Sequence, residues 1–420
     1  MFKEKVIAKY KYYLGMILLF GYCNWVPSTV MSSQYESVLT LFLCIVLLYR
    51  VRSSPNLFLG FVFIAYSMYS VVIGEYIVGG NLGVPLMQVK TVEIYGLVIR
   101  IMLFFFLSLL TFFPKNFELP FLKPKNNLPV FIILVLILIY IGLFGISRVK
   151  SGDYTVNISS LYEYSTIIFL FAYYSSGDRF YRKVTLTLLI FLFILQDFYY
   201  GGRITSIQLI FLFLCTIYRK SLNIMRSVLL VFLGIFTNSF IGIYRKSFSI
   251  NSVNILSLLE KLISNFFVFD TPVYSYYASA THIATIELFN LSVSERLDSF
   301  KNFIFSIFWS NDGSSGNLTQ FVSKNYFYNI GGGFAPTHFY FWGGWIGVLF
   351  LALLISWIFA KALNKKNDLW TLIVIVTIST IPRWFLYNPL ILVKMPVIII
   401  ILYFIFKLGM YFFSNTKYKV

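Results

Sequence analysis

Twelve runs of mostly apolar residues, parted by polar segments, dominate this chain. They cover about 12–26, 37–49, 57–78, 94–113, 129–147, 161–176, 184–200, 204–218, 227–243, 339–360, 370–388 and 390–413. About 20 apolar residues wound as a helix match the hydrocarbon core of a bilayer. None of the runs alternates apolar and polar positions as a barrel strand does, so each is read as a helix. Composition agrees: only 12% of the 420 residues are charged and 59% are hydrophobic. A soluble protein is about 25% charged, and charges this sparse could not cover so much apolar surface in water. The expected fold is an all-α polytopic membrane protein with twelve transmembrane helices.

The net charge of +18 would suggest nucleic acid in a soluble chain. Its placement argues otherwise. With the amino terminus inside, the seven inside segments carry 21 of the 34 lysines and arginines, two to four each. That alternation follows the positive-inside rule and puts both termini in the cytoplasm. The excess charge then faces anionic lipid heads, and membrane lipids rather than nucleic acid are the expected partners.

Other bulk features narrow the chemistry. Cys23, Cys44 and Cys215 fall inside apolar runs and read as buried small hydrophobes, with no disulfide or zinc spacing. The two histidines, His282 and His338, do not make a polyhistidine metal site. No paired-aspartate metal motif, phosphate-binding loop, nucleophile elbow or HExxH is present. No metal or cofactor is expected, and nucleotide-sugar enzymes, ATPases and zinc proteases are disfavoured. Lysines 3, 5, 9 and 11 before the first run resemble a signal peptide. No small-residue cleavage site follows, so the run is read as an uncleaved span.

The runs divide the chain into nine spans over 1–243, a large extracytoplasmic loop over 244–338, and three spans over 339–420. A loop of that length is usually functional. Apolar residues at helical spacing predict amphipathic helices over 253–267 and 292–308. The second opens with Ser292 and Glu295 at capping-box spacing. The loop's aromatic residues, Tyr274 and Trp309 among them, suit stacking on sugar rings. They equally suit an interfacial belt.

Ionisable groups at membrane depth are costly and mark functional sites. Arg203 follows Gly201-Gly202 and opens a span, Arg245 ends one, Arg383 follows Pro382 at a break, and Arg100 lies within a run. Arginine should be depleted from the outer edge, so its presence there calls for an anion, which a guanidinium grips bidentately. Gly201 and Gly202 would let the backbone approach such a ligand. The competing reading is a snorkelling arginine, or one paired with a buried acid such as Asp197. Glu75, Glu163, Asp197, Asp270, Glu287 and Asp312 are the outer carboxylates from which a general base could come. His338, where the loop re-enters the membrane, could orient a phosphate or relay a proton.

Three stretches together resemble the O-antigen polymerases, which join oligosaccharide repeat units of bacterial surface polysaccharides. They are GGRITSIQLI at 201–210, IGIYRK at 241–246 and GGGFAPTHFYFWGGWIGVLFLALL at 331–354. The last is also similar to the O-antigen ligases. The chain departs from polymerases that carry arginine-to-glycine pairs eleven residues apart: Leu214 and Leu256 stand at that spacing from Arg203 and Arg245. The resemblance implies a multi-pass protein of the bacterial cytoplasmic membrane. It implies metal-independent glycosyl transfer on the outer side, from a glycan on undecaprenyl pyrophosphate to a lipid-linked repeat unit. A polysaccharide chain-length regulator is an implied partner. Arg203, Arg245 and Arg383 would stabilise the pyrophosphate leaving group beside His338. Gly201, Gly202, Arg100, Tyr274 and Trp309 would bind substrate. An O-antigen ligase, or a lipid-linked oligosaccharide flippase, fits the same length and composition.

Overall fold

The computed structural model describes residues 2–76, 89, 91–148, 156–219, 222–247, 271–309, 316–329, 332–365 and 367–415. The first helices are α1 (Phe2–Trp25), α2 (Val30–Val51), α3 (Pro55–Ser67), α4 (Tyr69–Tyr76), α5 (Val92–Phe112) and α6 (Leu128–Phe144). A short antiparallel hairpin follows, β1 (Ile146–Arg148) and β2 (Val156–Ile158), with Ile146 opposite Ile158. Then come α7 (Ser160–Glu163), α8 (Ser165–Ser175), α9 (Phe180–Tyr199), α10 (Ile204–Cys215) and α11 (Ile224–Ser247). The remaining described helices are α12 (Thr271–Phe289), α13 (Val293–Phe308), α14 (Leu318–Asn325), α15 (Ala335–Lys365), α16 (Asp368–Ser379), α17 (Ile381–Leu386) and α18 (Leu390–Asn415).

Among the described residues, each apolar run read from the sequence is occupied mostly by one helix or two consecutive ones, and the 129–147 run ends in strand β1. Five helical stretches are long and apolar enough to cross a membrane: Val30–Val51, Pro55–Val72, Val92–Phe112, Ala335–Lys365 and Leu390–Leu408. The protein is a predominantly helical membrane protein. Helix α5 is its axis. Its side chains are mostly buried, and it packs on α1, α2, α12 and α15. A single apolar cluster runs from α1 through α18.

The 244–338 segment departs most from a surface loop. Helix α12 is drawn into the core, against α4, α5, α14 and α15. It carries no continuous apolar run because its small hydroxyl residues are satisfied internally. Ser275 Oγ donates to the Leu386 carbonyl at 2.9 Å, and Ser279 Oγ accepts the Phe334 N–H at 2.8 Å. Buried hydroxyls with partners are tolerated in a core where unpaired ones are not. The expected helix over 253–267 lies outside the described residues.

Helix α13 forms where its periodicity placed it. Ser292 Oγ accepts from the Glu295 N–H at 3.3 Å, and Glu295 Oε2 accepts from the Ser292 N–H at 2.9 Å, a complete capping box. The Ser292 hydroxyl, donating to Glu295 Oε2 at 2.8 Å, and then the Ser292 N–H hold the exposed Glu295 carboxyl below its ordinary range. The helix lies against a kink in α15 at Gly344, whose φ of 57° and ψ of −146° interrupt the helical ladder. The Tyr340 and Phe341 carbonyls, which Gly344 and Trp345 would otherwise bond, instead accept from Arg296 at 3.0 and 2.5 Å. The kink is thus closed by a side chain from the amphipathic helix, as orphaned carbonyls require.

Candidate active site

One polar cleft of about 560 Å³ gathers residues from five regions of the chain. Its walls are Glu163 at the end of α7, Asp197 near the end of α9, Gly201–Thr205 entering α10, Asn317 to Asn329 around α14, and Arg383, Tyr387 and Asn388 around α17. Positions scattered over more than 200 residues meet because α10 packs against α9, α16 and α17, while α12 packs on α14 and α17.

The Gly201-Gly202-Arg203 turn is shaped by Asp197. This aspartate is 1% exposed, and its Oδ2 accepts the Ser206 N–H at 2.9 Å and the Ser206 hydroxyl at 2.7 Å. It therefore caps the amino terminus of α10 and offsets the helix dipole there. Gly201 has φ of 76°, and a Cβ on Gly202 would stand 2.0 Å from Asp197 Oδ1. A side chain at Gly201 would be strained by that left-handed backbone, and one at Gly202 would displace the cap.

Arg203 and Arg383, 180 residues apart in the sequence, border the same cleft. Arg203 donates to Thr271 Oγ1 at 3.1 Å, and the Tyr387 hydroxyl reaches the same oxygen at 3.3 Å. Arg383 forms an ion pair with Glu163 at 2.6 Å, its side chain 18% and that of Glu163 36% exposed. Arg203 also lines a second, apolar cavity between α3, α10 and α11.

The other expected site residues are placed differently. Arg100 is 2% exposed and locked to Glu36, with Nε and Nη2 both 3.0 Å from Oε1. It also donates to the Val26 and Pro27 carbonyls at 2.5 and 3.3 Å. It lies apart from the cleft, holding α1, α2 and α5 together. The alternative of a buried acid as partner thus describes Arg100, with Glu36 as the acid. His338 is buried behind the cleft rather than in its wall, its Nδ1 3.1 Å from the Phe334 carbonyl oxygen. Tyr274, half-buried on the first turn of α12, is not among the cleft's lining residues. Trp309 ends α13, 72% exposed and likewise outside the lining. Arg245 sits in the last turns of α11, and its side chain lies outside the described residues, as do Asp270 and Asp312.

Sequence reasoning passed over His282. Its ring meets that of His338 edge to face, centroids 4.6 Å apart, and its Nε2 is 3.2 Å from Thr319 Oγ1 on the cleft wall. Burial, and then the neighbouring His338, push the His282 imidazole well below its usual pKa, so it stands neutral. Of the outer carboxylates whose side chains are described, Glu163 and Asp197 line the cleft and Glu287 does not, while the side chains of Glu75, Asp270 and Asp312 lie outside the described residues. No family model, curated protein or solved structure matches the chain.

Proposed function

We propose that this protein is a lipid-linked oligosaccharide polymerase with twelve spans, both termini cytoplasmic and the cleft open to the outer side of a bacterial cytoplasmic membrane. The observation that carries the reading is the pairing of Arg203 and Arg383 on one polar cleft, with Arg203 shared by an apolar cavity. A substrate suited to that arrangement has an anionic head joined to a long apolar tail. Undecaprenyl-pyrophosphate-linked glycan is such a molecule. The resemblance of the 201–210, 241–246 and 331–354 stretches to O-antigen polymerases supports the same choice.

In this reaction the acceptor sugar hydroxyl loses its proton to a carboxylate. Its oxygen bonds the donor's anomeric carbon, and the bond from that carbon to the pyrophosphate oxygen breaks. Arg203 and Arg383 stabilise the charge that develops on the leaving pyrophosphate, the largest electrostatic demand of the step. Glu163 is the carboxylate exposed enough to meet a hydroxyl, whereas Asp197 is buried and committed to Ser206. We assign the base to Glu163.

Deletion of the gene tests the reading. A polymerase leaves surface glycans of a single repeat unit, and plasmid-borne Arg383→Ala fails to restore length. Long lipid-linked chains without surface-attached glycan would indicate a ligase. Cytoplasmic build-up of repeat units would indicate a flippase.

A further inference from the structure

Helix α12 sends two consecutive side chains, Thr281 and His282, to the wall of the polar cleft, and each fixes the hydrogen bonding of one residue that lines it. Thr319, in the first turn of α14, donates its hydroxyl hydrogen to the Gly332 carbonyl at 2.6 Å. A carbonyl only accepts, so toward His282 Nε2, 3.2 Å away, the same Thr319 oxygen is the acceptor. The His282 hydrogen is thereby assigned to Nε2, and Nδ1 is bare. The arrangement at Asn329 is parallel. Thr281 donates to the Ala278 carbonyl at 2.7 Å and accepts from Asn329 Nδ2 at 3.1 Å. That assigns the way the Asn329 amide faces. Its Oδ1, in a residue 6% exposed, has no partner among the described residues.

Thr319 Oγ1 and Asn329 Oδ1 are thus held as acceptors with lone pairs left over and no hydrogen to offer. The partner they lack is a donor, which an ionised phosphate does not bring and a hydroxyl does. Arg203 and Arg383 line the same cleft with the opposite bias, because a guanidinium donates and never accepts. We propose that Thr319 and Asn329 form a subsite that holds the acceptor sugar by its hydroxyl groups, with Thr281 and His282 as positioning residues. The inference rests on the reading of the cleft as a glycan-extending site, and it places the uncharged part of the substrate. His282 acts through Thr319: without the imidazole N–H, the hydroxyl keeps one hydrogen bond and is free to turn its hydrogen toward the cleft.

The test uses the full chain in phosphatidylcholine nanodiscs and undecaprenyl pyrophosphate carrying glucose, galactose or N-acetylglucosamine, with the sugar-free lipid as reference. At least one sugar should raise the affinity about tenfold, the yield of two neutral hydrogen bonds. Removing single hydroxyls from that sugar should cancel most of the gain at one or two positions and none of it elsewhere. Thr319→Val and His282→Phe should each bring the sugar-bearing lipid to within about threefold of the sugar-free one, whose own affinity stays unchanged. His282→Gln, which keeps an N–H near the Nε2 position, should restore the gain. Equal affinity for the sugar-bearing and sugar-free lipids would overturn the proposal. So would a full sugar gain in Thr319→Val, or a parallel loss of sugar-free binding. The deoxy series on the native protein decides the matter even where a variant misfolds. A protein that prefers a sugar yet forms no glycosidic bond leaves this subsite standing and removes the polymerase reading alone. Extension with no sugar preference in binding does the reverse.

Discussion

Arg100→Ala separates a structural arginine from a substrate-binding one. In the native protein, Glu36 is 4% exposed and its carboxylate has two side-chain partners among the described residues, Arg100 and the Tyr22 hydroxyl at 2.7 Å. Removing the guanidinium leaves a buried charge facing one phenol. Breaking a buried pair in this way costs about 3–5 kcal/mol. At roughly 2 °C per kcal/mol for a large chain, the melting temperature in detergent should fall by about 6–10 °C. The triple variant Arg100→Met, Glu36→Leu, Tyr22→Phe removes the charges together and should recover more than half of that loss. It does not recover all, because the Val26 and Pro27 carbonyls lose their donor. Glycan extension per folded molecule should match wild type in the triple variant. Arg100→Ala protein that melts at the wild-type temperature yet cannot extend glycan would refute this account of Arg100.

Four further outcomes follow from the cleft and its surroundings. Arg203→Ala and Arg383→Ala should abolish extension while leaving membrane insertion intact, and lysine should restore only part, since it lacks the fork geometry; normal polymer length in both alanine variants would remove the pyrophosphate site. Glu163→Gln should slow turnover by about 100-fold or more, within the usual range for a lost general base, and should bind a lipid pyrophosphate at least as tightly, because Arg383 is freed of its competing carboxylate; weaker binding with unchanged turnover would contradict the assignment. Gly202→Ala drives a methyl into Asp197 and should lower both stability and activity, measured as melting temperature and glycan length. His282, neutral when folded, takes up a proton on unfolding below about pH 6.5, so stability should fall as pH drops through that value, by at most about 1.4 kcal/mol per unit; His282→Asn should flatten the slope between pH 7.5 and 5, although His338 still faces the site.

The helices were legible because apolar runs of bilayer length leave the backbone few other solutions. The capping box at Ser292 and Glu295 was legible for a similar reason: the interaction is local, three residues apart. Helix α12 was not, since a core helix of serines, threonines and tyrosines looks polar until its hydrogen-bond partners from α17 and the 334–337 turn are known. The site divides along the same line. Arg203, Gly201 and Gly202 stood out through local chemistry at a helix start. The pairing of Arg383 with Glu163 spans 220 residues, and no spacing rule reaches that far. Arg100 and Glu36 illustrate the converse: an arginine within an apolar run marks an unusual demand, and here that demand is an acid on a neighbouring helix. His282 gave no signal beyond its rarity, because its relation to His338 and Thr319 is made entirely by the packing of α12, α14 and α15.

The central claim is glycosyl transfer at the cleft shared by Arg203 and Arg383. Its most direct test is the purified protein in proteoliposomes supplied with undecaprenyl-pyrophosphate-linked repeat units on the outer-face side and no other protein. The account predicts a ladder of lengthening lipid-linked glycans, one free undecaprenyl pyrophosphate released per linkage formed, and loss of both in Arg383→Ala. Intact repeat units appearing in the opposite leaflet, with no ladder and no pyrophosphate lipid released, would contradict it.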